Sequence, residues 1–420
     1  MATKSIKIET FQKKVFLIAG VFTCLVITFF FVKWCLANAV ATQADSIEMA
    51  NFTVSAAPSD SQTHYALAVL SGQTFLPEEL SKSLTEFEQA TALAPNDFRL
   101  WLALGKARER SGDAVGAELA LKKALDLAPN YAPVQWALGN ILLRQGKTSE
   151  AFVELRKAAQ GDKSFINPAI SAAWQIFEGD LNQIRQNLDD SAKTNSALAV
   201  FLAKQKRFEE ALETWSALPT EDKKAAFKEE RAELLREMLA AKKYRNALKV
   251  QEQATEAENF SLGKVSNGGF ETNVKTKEAS VFEWQIADSL QPQIGFDDKE
   301  KYNGNKSLVI IFNSTDGKDF RSISQTIAIE SGKKYAFEAF YKSDLKTSAT
   351  LKWEIVDASD EKVLAATESV LKNSEWTNLK AEFISPANTE AVTLRLARET
   401  CKSLICPISG KIWFDDFSLN

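Results

Sequence analysis

Between Ala90 and Ala158 the sequence repeats itself at a fixed step, and few features restrict a fold so tightly. Pro95 recurs as Pro129, Gly105 as Gly139, Gly112 as Gly146 and Ala117 as Ala151, while Ala90 recurs as Ala124 and again as Ala158, each at a spacing of 34 residues. A unit of that length cannot bury its apolar face alone, so matched small residues imply stacked copies of one supersecondary unit. Each copy reads as helix, turn, helix. Leu100, Leu102, Leu104 and Ala107 lie on the first helix, "RSGD" at 110–113 makes the turn, and Ala117, Leu121, Ala124 and Leu125 lie on the second. Glycine and alanine at fixed positions let two antiparallel helices approach without voids. "LAPN" closes the unit, because proline cannot continue a helix and the asparagine is expected to cap the next one.

This stretch resembles the tetratricopeptide repeat through Trp101, Leu104, Gly105, Ala117, Leu121, Ala124 and Pro129. The resemblance implies a protein partner held in the solenoid groove. Weaker copies flank the two clear ones. From Ser59, "THYALAVLSG" and "EELSKSLTEFEQATALAPN" supply a helix pair with Leu80, Leu84, Phe87 and Ala90 on one face. Residues 167–190 read as another, with Trp174 and Phe177 on the first helix and "EGD" at 178–180 as the turn. "KRFEEAL" at 206–212 and "KKYRNAL" at 242–248 place Phe208 with Ala211 and Tyr244 with Ala247 at a step of 36. The expectation is one α-solenoid of tetratricopeptide-like helix pairs over 59–260.

Residues 1–14 carry Lys4, Lys7, Lys13 and Lys14 against Glu9, and Val15 to Val32 is an uncharged run of 18 residues. As a helix the run spans roughly 27 Å, enough for a bilayer core. The span is placed at 15–34, with Lys33 and Trp34 as an interfacial anchor. Basic residues before it put 1–14 in the cytoplasm and the bulk across the membrane, as a single-pass inner-membrane protein facing the periplasm. The alternative is a secreted or periplasmic protein released by signal cleavage near Ala39 or Ala41. Neither Cys24 nor Cys35 follows the residues expected before a lipidated bacterial cysteine. Residues 35–58 read as a polar tether closed by Pro58.

After Asn259 helical periodicity gives way to alternation, as in Tyr335, Phe337, Ala339, Tyr341 and in Leu351, Trp353, Ile355. About nine such runs predict an antiparallel β-sandwich over 262–420. The fold class is therefore multidomain α and β: an N-terminal transmembrane helix, an α-solenoid and a C-terminal sandwich. "VSNGGFE" at 265–271, "YNGNKSL" at 302–308, "ISQTIAIESGKKYAFEAFYK" at 323–342 and "GKIWFDDFSL" at 410–419 resemble, in order, the galactose-binding-like jelly rolls, and within them carbohydrate-binding modules that contain calcium. The resemblance implies a structural calcium held by Glu271 and Asp416. It also implies glycan binding on aromatic faces with polar groups nearby.

Trp284, Tyr302, Phe320, Phe340, Trp353, Trp376 and Trp413 are the available aromatics. Alternation turns Tyr335, Phe337 and Tyr341 toward the core, and Phe340 and Glu338 away from it. Leu394 and Leu396 inward turn Arg395 outward, and Gln325, in phase with Ile323 and Ile327, is expected as a buried structural amide. The glycan-binding candidates are Trp284, Phe340, Glu338, Arg395 and Trp413. Cys401 and Cys406, beyond the membrane, are expected to form a disulfide closing a small loop.

The formal net charge of −4 on 420 residues gives no electrostatic argument for nucleic acid. The single histidine, His64, has no companion ligands and reads as a surface or packing residue. With no serine elbow, phosphate loop or cysteine–histidine pair, no enzyme is expected. The expected function is a membrane-anchored periplasmic protein-interaction scaffold with a glycan-binding sandwich, in envelope polysaccharide or glycosylation assembly. Two alternatives stand beside it: a scaffold that binds no sugar, and an accessory subunit of a carbohydrate-active enzyme.

Overall fold

A computed structural model describes residues 10–74, 76–253, 260–275, 279–289, 291–315, 320–401 and 405–420. Lys4, Lys7 and Glu9 lie outside these residues. The chain divides into two compact units, Met1–Asp190 and Ser191–Asn420.

The first unit opens with helix α1, Phe11–Ala41, long and apolar enough to cross a membrane, and longer at both ends than the span expected at 15–34. Its last turns belong to the folded unit: Ala37 and Ala41 are buried, and Asn38 Nδ2 donates to Asp60 Oδ2 at 2.8 Å. The expected tether is instead largely helical. Ser46 accepts from the Met49 N–H and starts α2, Ile47–Ala56, whose Ala50 and Thr53 are buried. A polar composition concealed a capped helix with one buried face.

Paired helices follow: α3 Ser61–Ser71 with α4 Pro77–Leu93, α5 Phe98–Arg110 with α6 Ala114–Leu127, α7 Ala132–Arg144 with α8 Thr148–Gly161, and α9 Ile166–Ile176 with α10 Leu181–Asn187. The repeated glycines mark contacts between the helices of a pair. A Cβ on Gly105 would lie 2.6 Å from Leu121 Cγ, and one on Gly139 would lie 2.7 Å from Leu155 Cγ. Gly112 and Gly146 occupy the left-handed region at φ +84° and +75° in the turn between the helices. The expected asparagine caps do not form. Asp97, one residue after Asn96, accepts from the Arg99 N–H, and Tyr131, which precedes α7, gives it no side-chain cap. His64 is a packing residue, its Nδ1 2.6 Å from Glu86 Oε2 and its Nε2 2.9 Å from the Pro58 carbonyl.

The second unit holds α11 Ala192–Lys204, α12 Phe208–Ser216, α13 Thr220–Lys224, α14 Lys228–Ala240 and α15 Tyr244–Glu252, followed by ten strands. These are β1 Gln285–Ile286, β2 Gln293–Asp297, β3 Ser307–Ser314, β4 Ile323–Ala328, β5 Lys334–Thr347, β6 Leu351–Asp357, β7 Val363–Ala366, β8 Asn373–Ile384, β9 Ala391–Arg398 and β10 Ile408–Leu419. They form two five-stranded antiparallel sheets, ordered β1-β4-β9-β6-β7 and β2-β3-β10-β5-β8. Phe337, Tyr341, Trp353, Leu394 and Phe414 meet in the core between them. Gln325 is fully buried as expected, accepting from the Ser266 N–H at 3.0 Å and donating to its carbonyl at 2.9 Å. The last helices belong to the same unit as the sandwich. Tyr244 donates to the Ala358 carbonyl at 2.9 Å, and the Arg245 N–H donates to Glu390 at 3.2 Å.

Two outcomes follow for the repeats. Gly105→Ala should cost about 1–3 kcal/mol by forcing the α5–α6 contact apart, measured by urea unfolding of the detergent-solubilised chain; an unchanged midpoint would remove the role assigned to the glycine. Hydrogen bonds from Lys122 and Lys147, each at 2.7 Å, hold Glu118 down at about 2. A depressed carboxylate contributes stability that is present above its unfolded value and lost as pH falls through the folded one. Stability should therefore fall between pH 4.5 and about 2, and Glu118→Gln should flatten that acid limb in a melting series.

Candidate functional site

The candidate glycan residues fall in different places. Trp284 is only 2% exposed, its ring packed against Phe270 at 5.3 Å and Phe417 at 5.0 Å, and it lies in the core rather than on a binding face. Trp413 is also buried, its indole N–H donating to Asp297 Oδ2 at 2.9 Å. Glu338 faces away from the core as alternation requires and pairs with Lys380 at 2.6 Å. Phe340 lies on the same outer face beneath Tyr302, with ring centroids 3.7 Å apart. Arg395 belongs to the other sheet, where its Nε and Nη2 donate to Glu354 Oε2 at 3.0 and 2.8 Å. The five candidates therefore do not form one site.

Glu354, the partner of Arg395, borders a cleft of about 860 Å³ at one end of β6 and β9. Lys352, Glu354, Thr367, Ser369, Arg398 and Glu399 line it. The positions follow from the pleat: Leu351, Trp353 and Ile355 turn inward, leaving Lys352 and Glu354 on the outer face. Burial works to raise the Glu354 carboxyl, but hydrogen bonds from Arg395 and Lys352 outweigh it and hold the group below the usual glutamate range. Glu399 is lowered by the Ser369 hydroxyl and by the Thr350 N–H at 2.9 Å. The cleft offers fixed acceptors, an ammonium, a guanidinium and hydroxyls, a set suited to a ligand rich in hydroxyl groups. The alternation of "LKWEIVD" already exposed Lys352 and Glu354, whereas nothing local joined them to Glu399, 45 residues beyond Glu354.

The two ends of the sandwich meet at carboxylates. Glu271 Oε1 accepts from the Asn305 N–H at 2.7 Å and its Oε2 from Asn305 Nδ2 at 2.9 Å. Asp415 is fully buried, and its Oδ2 accepts from the N–H groups of Tyr302 and Asn303 at 2.9 and 3.0 Å. The shift of ladder register between Asp415 and Ser418, with Asp416 at φ +51°, sets the two acids side by side, Asp415 Oδ1 accepting the Asp416 N–H at 2.8 Å. A Cβ on Gly269 would lie 3.9 Å from both Asp415 Oδ1 and Glu271 Cγ, so these two acidic side chains flank one stretch of backbone. Burial raises the Asp415 carboxyl against three backbone N–H groups that lower it. The Glu271 and Asp415 carboxylates are hard oxygen donors of the kind calcium takes, with Lys306 helping the Asn305 N–H to lower Glu271, and among the described residues no group of three or more His, Cys, Asp or Glu side chains converges there. Cys401 and Cys406 form a disulfide, with Cα atoms 6.0 Å apart.

Residues 263–401 match the model of the family described as a carbohydrate binding domain. A curated relative, the BBSome complex member bbs-4 of Caenorhabditis elegans, is 34% identical over 92 residues, covering 22% of this chain and 19% of that protein. The chain thus spans about a fifth of the length of the curated relative it matches. Among solved structures, MamA is 17% identical with a TM-score of 0.32, covering 36% of this chain and 85% of that one. A structure described as "CBM4 structure and function" is 18% identical with a TM-score of 0.28, covering 37% and 98%. The CBM22-1–GH10 modules of xylanase 10B from Clostridium thermocellum, complexed with xylohexaose, are 18% identical with a TM-score of 0.27, covering 38% and 29%. The chain thus joins helix pairs to a C-terminal β-sandwich, within which residues 263–401 are similar to a carbohydrate binding domain.

Proposed function

We propose that this chain is a non-enzymatic, membrane-anchored scaffold whose helix pairs hold a protein partner and whose sandwich binds a glycan in the cleft bordered by β6, β7 and β9. The single observation that carries the reading is the polar cleft, about 860 Å³ in volume, within the region matching a carbohydrate binding domain. A glycan is bound by matching many hydroxyls to fixed donors and acceptors, and Lys352, Glu354 and Glu399 present both kinds. The setting proposed is the periplasmic face of an inner membrane, in envelope polysaccharide or glycosylation assembly. Lys13 and Lys14 before the apolar run support that orientation. The Cys401–Cys406 disulfide suits an oxidising compartment. Ala37 and Ala41, buried within a continuous α1, support an uncleaved anchor over cleavage near Ala39 or Ala41.

Calcium is proposed to join Glu271 to the adjacent acids Asp415 and Asp416, tying the opening of the sandwich to its last strand. When bound it would neutralise the buried Asp415 carboxylate.

A glycan array probed with the detergent-solubilised chain should give saturable binding to an envelope-type polysaccharide. Lys352→Ala and Glu354→Gln should each weaken it about tenfold or more, consistent with losing one charged hydrogen bond. Silence across the array would leave a scaffold without sugar binding, and turnover of a labelled glycan would overturn the non-enzymatic reading. In thermal melts, calcium should raise the transition of the wild-type chain and leave Asp415→Asn unmoved; a wild-type transition indifferent to calcium and chelator contradicts the clasp.

A further inference from the structure

The opposite sheet carries an aromatic platform separate from the cleft. Tyr302 is 45% exposed and lies flat on Phe340, with ring planes 9° apart, while Trp376 stands 5.8 Å away at 55°. Tyr302 is held in place through its backbone: Asp415 accepts its N–H and that of Asn303, and Glu271 anchors Asn305 and Lys306 in the same loop. A ring fixed from below, with its other face open to solvent, loses little conformational freedom when a ligand stacks on it. Asn378 lies directly across the ladder from Phe340. Its Oδ1 is buried and has no hydrogen-bond partner among the described residues. Buried acceptors are normally satisfied, so an unpaired one beside an open ring marks a place for a donor.

From this geometry we propose that Tyr302, Phe340, Trp376 and Asn378 form a second glycan-binding site, taking one pyranose ring of a polysaccharide on the reverse face of the sandwich. The apolar face of the sugar stacks on Tyr302 against the wall made by Trp376, and the Asn378 amide turns outward so that its Oδ1 accepts a hydroxyl. The acids beside the platform do not make it a site for cations. Lys342 Nζ already bridges Glu300 at 3.1 Å and Glu375 at 3.0 Å, which favours a neutral, hydroxyl-bearing ligand. With sites on both sheets, one sandwich can bridge two glycan strands or two segments of one.

This inference rests on the glycan reading of the sandwich, and its test separates the two. The full chain in detergent is titrated calorimetrically with linear hexasaccharides of β-1,4-linked glucose, xylose and N-acetylglucosamine. The wild-type chain should bind two molecules of one of them. Trp376→Ala, and separately Tyr302→Ala, should abolish one site or weaken it about tenfold with an unchanged melting temperature, and Lys352→Ala/Glu354→Gln should remove the other. A stoichiometry of one, lost in the cleft variant and untouched by Trp376→Ala, overturns the second site and leaves the first. One site lost in Trp376→Ala and kept in the cleft variant supports the platform and overturns the cleft. No binding of any hexasaccharide by the wild-type chain overturns both.

Discussion

The sandwich depends on its last strand lying in the middle of a sheet. β10 pairs with β3 on one side and β5 on the other, so residues from the end of the chain complete a core begun around Phe270. That insertion requires close backbone contact at the opening of the domain. A Cβ on Gly268 would lie 2.1 Å from the Phe417 carbonyl oxygen, and the Phe417 N–H donates to the Gly268 carbonyl at 3.0 Å. The local irregularity that follows Asp415 lets one acidic side chain turn toward the loop at 302–303 while Phe414 and Phe417 both stay buried. Core closure, the carboxylate pair and the placement of Tyr302 thus share one cause.

The helical part depends on a different constraint, the fit of leucine against glycine inside each pair. Where the glycine is present, at 105 and 139, the repeat is plain in the sequence. Where it is absent, as in α11–α12 and α14–α15, the pairs persist on buried Ala211, Leu212, Ala247 and Leu248, and the turns still adopt positive φ at Lys206 and Lys242. The geometry outlasts the consensus because apolar burial tolerates more substitutions than a close contact does.

Much of this was legible from periodicity. The helix pairs, the two-sheet sandwich, the buried amide of Gln325 and the outward turn of Phe340 and Arg395 all follow from steps of 3.6 or two residues. Three features were not legible, each for a physical reason. A helix over Ile47–Ala56 rests on the Ser46 cap and two small buried residues, too little apolar signal to register. Burial of the Asp415 carboxyl depends on a bulge, which breaks the alternation that strand reading assumes. Burial of Trp284 and Trp413 reflects contacts from strands distant in sequence, which a single strand's pattern does not contain. The cleft was half legible, since its walls alternate correctly but meet only in three dimensions.

The central claim is that the cleft by β6, β7 and β9 is where this protein holds sugar. Hydrogen exchange of the full chain, compared with and without a saturating oligosaccharide that binds it, tests that most directly. The account predicts slowed exchange in 348–354, 366–370 and 398–400. Saturated binding that leaves all three segments unchanged would contradict it.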